Sequence, residues 1–308
     1  MASHAEPSWF AIVNPAAGRG RAARAVPALE AAARDAGLRV EVQRTERRGH
    51  ATALARKAVA AGHRNFIAVG GDGTVNEVAN GLLGNAAVPT SELTLGALPI
   101  GTGNDWARTH AMPHDAREVA RLLASGRTVM HDAGIVTCRA GSETIRRYFV
   151  NMAGAGIDAH ILARLGEGKG GAWSYLVALL GGLRSFRAPT LDVAGPDFRF
   201  RGPTLVIFAG PGRYCGGGLE IAPDAAVDDG RLRVTLVKQM SFWCVLGNLP
   251  RLFNGTVPQS PHVVCARLAA IDVTSDIPVG VEVDGEVIGG APVRFEILPR
   301  AIRVVTAR

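Results

Sequence analysis

A short apolar run, Phe66-Ile67-Ala68-Val69, breaks into Gly70-Gly71-Asp72-Gly73-Thr74-Val75-Asn76-Glu77, after which Val75, Val78, Ala79, Leu82 and Leu83 recur at helical spacing. The run reads as a buried strand and the recurrence as an amphipathic helix, so the glycines fall where a strand turns into a helix. Such a turn is an anion site by construction. Glycine lets the backbone approach a ligand, and the first helical N–H groups point at it with the positive end of the helix dipole behind them. A carboxylate inside a phosphate cradle needs a divalent cation or a hydroxyl proton between the two charges. Asp72 is therefore a candidate for Mg²⁺ or for substrate activation. Taken alone, the same residues also read as a tight turn with an Asp near a helix start.

Three further stretches repeat this strand-and-loop pattern. Residues 9–13 are an apolar strand ending in Asn14-Pro15-Ala16-Ala17-Gly18-Arg19-Gly20, with an alanine-rich helix to about Ala36. Residues 38–43 alternate as a second strand, and Thr45-Glu46-Arg47-Arg48-Gly49-His50 leads into a helix to about Ala61. Residues 93–100 are a fourth strand, interrupted by Pro99 and ending in Gly101-Thr102-Gly103-Asn104-Asp105. In a parallel sheet these loops share one edge, beyond the carboxyl ends of the strands, where ligands bind.

After a helix at 116–125 the periodicity changes. Short strand-like runs at 128–136, 144–152, 190–194, 198–202, 204–209, 232–237, 269–273, 279–283 and 293–298 are separated by turns. Helical insertions break them at 159–185 and 242–253. This half reads as antiparallel β. The expectation is an α/β domain over residues 1–127, a parallel sheet with flanking helices, and a mainly antiparallel β domain over 128–308, with the cleft between the halves.

A net charge of +7 with only 20% charged residues suits phosphate ligands or an anionic membrane surface. Nucleic acid is not expected, because Lys and Arg are scattered, aromatics are sparse, and no helix-turn-helix, RNA-recognition or zinc-finger pattern occurs. Cys138, Cys215, Cys244 and Cys265 are far apart with no Cys-x-x-Cys pair, which suits a reduced cytosolic protein. The first eight residues lack a basic-then-apolar signal region. An apolar uncharged run between Lys169 and Arg184 has 14 residues with four glycines. That is short of the roughly 20 that span a bilayer, so it reads as a buried helix or as a membrane-facing one. No G-x-G-x-x-G with a later ribose-binding acid and no Gly-Lys-Ser/Thr loop is present.

The blocks Asn14-Pro15 with Gly18, Gly70 through Val78, and Leu98-Pro99-Ile100-Gly101-Thr102-Gly103-Asn104-Asp105 resemble the three blocks of the diacylglycerol kinase catalytic domain. That family includes bacterial lipid kinases and the sphingosine and ceramide kinases. Gly154-Ala155-Gly156-Ile157-Asp158-Ala159, Gly216-Gly217-Gly218 with Ala222-Pro223-Asp224-Ala225 and Asp229-Gly230, and Asp284-Gly285-Glu286 follow in the family's order. The resemblance implies a fold like that of NAD kinase and diacylglycerol kinase, and an ATP-dependent lipid kinase that uses Mg²⁺. It implies a lipid hydroxyl as acceptor, met by a cytoplasmic enzyme in transient peripheral contact with the membrane. Nucleotide contacts would be Asn14, Thr45, Gly70, Gly71, Asp72, Gly73, Thr74, Val75, Asn76 and Thr102. Glu286 would be the general base, or else Asp72, as the sphingosine kinase branch suggests. A structural Mg²⁺ would sit at Asp229 with the carbonyls of Ala226 and Arg231. Without the resemblance, Asp284-Gly285-Glu286 reads as a hairpin turn and Val227-Asp228-Asp229-Gly230 as another. The acceptor stays open among diacylglycerol, a sphingoid base, ceramide, phosphatidylglycerol and a glycolipid, and the oligomeric state between monomer and homodimer. The competing readings are an NAD kinase-like enzyme and a catalytically silent lipid- or nucleotide-binding protein.

Overall fold

The computed structural model describes residues 8–165, 172–183 and 185–308. The chain forms two compact units: the residues up to His131 together with Arg300–Arg308, and Asp132–Pro299. The periodicity of the sequence changes near Arg127, and the units divide a few residues later, inside a strand.

In the first unit the elements are β1 (Ser8–Val13), α1 (Ala17–Asp35), β2 (Arg39–Arg44), α2 (His50–Ala60), β3 (Asn65–Gly70), α3 (Asp72–Leu83), β4 (Thr94–Pro99), α4 (Asp105–Thr109) and α5 (Ala116–Ser125). β1 pairs with β2 on one side and β3 on the other, β3 pairs with β4, and all of these pairs are parallel. β4 is buried along its whole length and β3 from Phe66 onward, as expected of parallel strands with helices on both faces. β2, at the edge, is mostly exposed or half-buried. Because the chain adds β2 on one side of β1 and then β3 on the other, the strand order reverses at β1. That is the switch point at which open α/β sheets bind ligands. α5 shows how local chemistry sets an element. The Asp115 side chain accepts the N–H groups of Arg117 and Glu118 at its start, Val119, Ala120 and Leu123 bury one face, and Gly126 ends it at φ +67°.

The second unit holds β5 (Thr128–Ala140, within which the division falls), β6 (Glu143–Phe149), β7 (Ala153–Gly156), α6 (Ile157–Leu165), α7 (Ala172–Leu183), β8 (Thr190–Gly195), β9 (Phe198–Gly210), the short pair β10 (Tyr214–Cys215) and β11 (Leu219–Glu220), β12 (Leu232–Lys238), α8 (Phe242–Asn248), α9 (Arg251–Asn254), β13 (Val263–Leu268), β14 (Ala270–Ser275), β15 (Gly280–Val283) and β16 (Glu286–Val305). Pairing runs β9–β7–β15–β16–β14–β8 and back to β9, each step antiparallel, and β12 and β13 extend from β9. The closed pairing encloses an apolar core that includes Leu191, Val193, Ile207, Val281 and Phe295.

Several elements differ from the expectation, each for a physical reason. The runs at 198–202 and 204–209 are one strand, β9. Pro203 lies where its partner changes, Thr190↔Pro203 in β8 giving way to Lys238↔Thr204 in β12, so its missing N–H breaks no ladder. The expected helix at 242–253 divides at Pro250, the N-cap of α9. The expected helix at 159–185 is two helices, and its residues 166–171 and Arg184 lie outside the described residues. β7 is composed of Ala and Gly, and β-propensity does not detect it. Small residues are required there, because a Cβ on Gly156 would come within 2.4 Å of the Leu205 carbonyl oxygen. Finally, the end of β16 belongs to the first unit, where Arg303 and Val304 pair in parallel with Thr94 and Leu95 of β4.

Candidate active site

Three loops leave the carboxyl ends of β1, β3 and β4 and are tied to one another. Asn14 donates its N–H to the Val69 carbonyl at 3.0 Å, its side-chain oxygen accepts the Ala16 N–H, and its side-chain amide donates to the Thr74 hydroxyl at 3.4 Å. Gly70 is needed because of Thr74, whose Oγ1 would be 2.3 Å from a Cβ there. Gly71 and Gly101 are in backbone contact: a Cβ on Gly101 would lie 2.6 Å from the Gly71 Cα. Asn104, itself left-handed at φ +53°, closes the β4 loop by accepting the Gly101 N–H at 2.8 Å and donating to its carbonyl at 3.1 Å. A Cβ on Gly73, by contrast, would meet nothing within 4 Å. Thr45 donates its N–H to the Val13 carbonyl at 2.8 Å and so hangs from the same edge, whereas Thr102 is exposed at the tip of its loop.

Asp72 begins α3, and its Oδ1 accepts the backbone N–H of Trp106 at 3.0 Å. The carboxylate thus caps α4 from another loop. Burial raises the Asp72 carboxyl, and the backbone N–H groups of Trp106, Asp105 and Asn104 draw it back.

In the second unit the Asp284-Gly285 turn joins β15 to β16 with both residues at positive φ, +46° and +87°. The Asp284 carboxylate accepts the N–H groups of Val150, Asn151 and Met152, and Glu282 accepts the Gly285 N–H at 2.9 Å. Glu286, the next residue, is half-buried and ion-paired with Arg147. Two carboxylates therefore hold the turn and a third projects from it. Asp72 lies in the first unit and Glu286 in the second.

The diacylglycerol kinase catalytic domain profile matches residues 8–136, and that of the YegS C-terminal NAD kinase beta sandwich-like domain matches residues 151–306. A probable lipid kinase YegS-like of Yersinia enterocolitica is 33% identical over 275 residues, covering 88% of each chain. The chain belongs to the diacylglycerol kinase family. A putative diacylglycerol kinase from Bacillus anthracis str. Sterne superposes with a TM-score of 0.75 at 23% identity, covering 98% of this chain and 97% of that one. Yeast NADH kinase superposes with 0.52 at 11% identity, covering 99% and 85%. Both show the shared fold, an α/β domain followed by antiparallel β.

At the Asp229 turn, expected to hold a structural Mg²⁺ with the carbonyls of Ala226 and Arg231, the carboxylate has protein partners. One carboxylate oxygen of Asp229 accepts the Arg231 N–H at 2.9 Å and the other faces the Arg267 guanidinium at 3.8 Å. The neighbouring Gly230 N–H is taken by Asp132 at 2.6 Å. A hard divalent cation needs several converging oxygens, so a Mg²⁺ here would draw on the Ala226 and Arg231 carbonyls as well as the Asp229 carboxylate. Among the described residues no group of three or more His, Cys, Asp or Glu side chains could hold a metal ion.

Sequence reasoning passed over two residues at these loops. Gly18, Arg19 and Gly20 are all left-handed, at φ +58°, +58° and +83°, so Arg19 is held exposed at the start of α1. An arginine between two glycines was the available signal. Glu77, on α3, accepts the N–H groups of Gly49 at 2.9 Å and Ala51 at 3.1 Å and so caps α2 from outside it. A cap 26 residues away from its helix leaves no local pattern.

Glu282 gives a test of the turn that is independent of catalysis. Burial, with Asp158 and then Asp284 beside it, pushes its carboxyl well above the usual carboxylate range, against the opposing Gly285 N–H. A carboxyl raised in the folded state contributes stability below its unfolded value and loses it as pH rises through the folded one. Glu282→Gln keeps an acceptor for Gly285 without the charge. The variant should match the wild type below about pH 4.5 and gain on it by about 1.4 kcal/mol per pH unit above that, up to the raised value. Thermal melts from pH 4 to 8 check this, and a variant less stable than the wild type at pH 7.5 would refute it.

Proposed function

We propose that this ATP-dependent lipid kinase lays the nucleotide phosphates along the 70–76 loop, with Asn14, Thr45 and Thr102 as further contacts, and passes the γ-phosphoryl group to a lipid hydroxyl. The reading rests on the backbone contact of Gly71 with Gly101 at the switch-point edge, beside an open space at Gly73 in the first turn of α3. Phosphate oxygens can accept there from main-chain N–H groups that no side chain covers. Phosphoryl transfer asks mainly for position and charge stabilisation. The lipid hydroxyl oxygen attacks the γ-phosphorus, the bond to the β–γ bridging oxygen breaks, ADP leaves, and the hydroxyl proton passes to Glu286. Arg147 holds that carboxylate in place. Mg²⁺ carried with the nucleotide would neutralise phosphate charge, and Asp72 is the carboxylate on the loop to face it.

For the acyl portion we propose the apolar cavity of about 100 Å³ in the second unit, lined among others by Leu179, Leu183, Phe208, Ile221, Val245 and Leu252. Among the described residues no helix is long and apolar enough to cross a membrane, so the lipid would be met at a membrane surface.

The test is labelled ATP with a lipid panel in mixed micelles and NAD alongside. Label should enter a lipid and leave NAD untouched. Efficient phosphorylation of NAD with no labelled lipid anywhere in the panel would sink the reading.

A further inference from the structure

Three large aromatic side chains are exposed on one short stretch of the second unit: Phe242 at 38%, Trp243 at 78% and Phe253 at 55%. They belong to α8 and α9, a pair of short helices joined at Pro250. The Phe242 and Trp243 rings meet edge to face with centroids 5.6 Å apart, which makes one continuous aromatic surface. The same helices line the apolar cavity through Val245, Leu249 and Leu252. The pair is therefore apolar on both sides, inward to the cavity and outward to solvent.

A helix exposing aromatics at this density needs a covering partner, and the surrounding charge says which kind. Between Asp229 and Asp272 the sequence has no Asp or Glu, yet it carries Arg231, Arg233, Lys238, Arg251 and Arg267. Arg233 and Arg267 are taken by Asp224. Lys238 is not, and together with Arg201 it lines a shallow basin whose rim runs through Met240 to Ser241, the N-cap of α8. Among the described residues neither Lys238 nor Arg201 has an ion-pair partner. Aromatic rings beside unpaired basic groups match the boundary of an anionic bilayer, where Trp sits at headgroup level and each basic group gains from lipid phosphate.

We propose that the α8–α9 pair is the membrane-docking face of this protein, with Phe242, Trp243 and Phe253 entering the headgroup boundary of an anionic bilayer and Arg201 and Lys238 meeting lipid phosphates. This deepens the lipid-kinase reading and rests on it for its purpose, since a lipid leaving the bilayer would have one helical layer to pass before reaching the cavity. It adds α8–α9 to the segment that the sequence suggested, α7, on which Val177 is 67% exposed.

The test uses the full chain and sedimentation with phosphatidylcholine vesicles, with or without phosphatidylglycerol. The wild type should bind the anionic vesicles preferentially. W243S/F253S should lose roughly tenfold or more of that binding at an unchanged melting temperature. R201Q/K238Q should lose the preference for anionic over neutral vesicles. Brominated lipid should quench Trp243, and the conservative W243F, which keeps an aromatic ring, should bind vesicles but lose the quenching. Vesicle binding by W243S/F253S equal to the wild type overturns the proposal, as does quenching that survives in W243F. If instead the double variant changes only the sedimentation coefficient of the free protein, the face is a contact between copies of the chain and the proposal fails. These readouts need no phosphoryl transfer. Vesicle binding without any labelled lipid would leave docking standing and defeat the acceptor assignment, whereas labelled lipid with unaltered binding by the variants would do the reverse.

Discussion

Glu286→Gln should lower turnover by the roughly 10² to 10⁴ typical of losing a general base, with ATP affinity near that of the wild type. Gln keeps the shape and hydrogen bonding of Glu but accepts no proton. The turn that presents residue 286 is held by Asp284 and Glu282, neither of which the substitution touches. Its position should therefore survive, and the loss should appear in kcat. Raising the pH should restore part of the rate, because hydroxide can stand in for a missing base but not for a missing metal ligand. Asp72→Asn should also abolish turnover, but with altered Mg²⁺ or ATP dependence. The competing assignment makes Asp72 the base and Glu286 an orienting group. A Glu286→Gln enzyme within a few-fold of wild-type turnover would transfer the role to Asp72.

Gly101→Ala should damage both the contact between the β3 and β4 loops and the binding of the nucleotide. Its Cβ would lie 2.6 Å from the Gly71 Cα and equally close to the Asn104 side-chain oxygen that closes the loop. The first neighbour is backbone, so the β3 and β4 loops must separate. Overpacking of this kind costs about 1 to 3 kcal/mol, and the phosphate cradle made by the two loops should weaken ATP binding at least tenfold. Gly73→Ala is the control. With nothing within 4 Å of the added methyl group, its stability should stay within about 0.5 kcal/mol of the wild type. ATP affinity should nevertheless fall, because the open space is what the phosphates would use. Melting curves and nucleotide titrations on both variants decide the matter. A Gly101→Ala protein with normal ATP affinity would break the link between the loop contact and the nucleotide.

Comparing individual residues shows what sequence could and could not reveal. The 66–83 unit was readable because its strand, glycines and helix are consecutive and each obeys a local rule. α5 was readable to the residue, since Asp115 and Gly126 are its own caps. Asp72 was recognised as a misplaced carboxylate, but its hydrogen bond to Trp106 joins loops 34 residues apart and has no local trace. The partners of Asp229, the Arg231 N–H and the Arg267 guanidinium, had no trace in the turn motif itself. β7 was noticed as a motif and not as a strand, because propensity scores an isolated side chain and β7 is small on account of its neighbours.

The sequence by itself determined the order of elements in the α/β half, the parallel and antiparallel halves, the glycine loops and, through six ordered motifs, the family. These follow from short-range physics: periodicity, capping, turn chemistry and the conformational freedom of glycine. The tertiary structure alone decided that Arg300–Arg308 return to the first unit to pair with β4, that Gly71 meets Gly101, that Glu77 caps α2 and that Glu286 is paired with Arg147. Each of these brings together groups far apart in the chain, where the deciding quantity is the distance between two surfaces, and no window of sequence contains that distance.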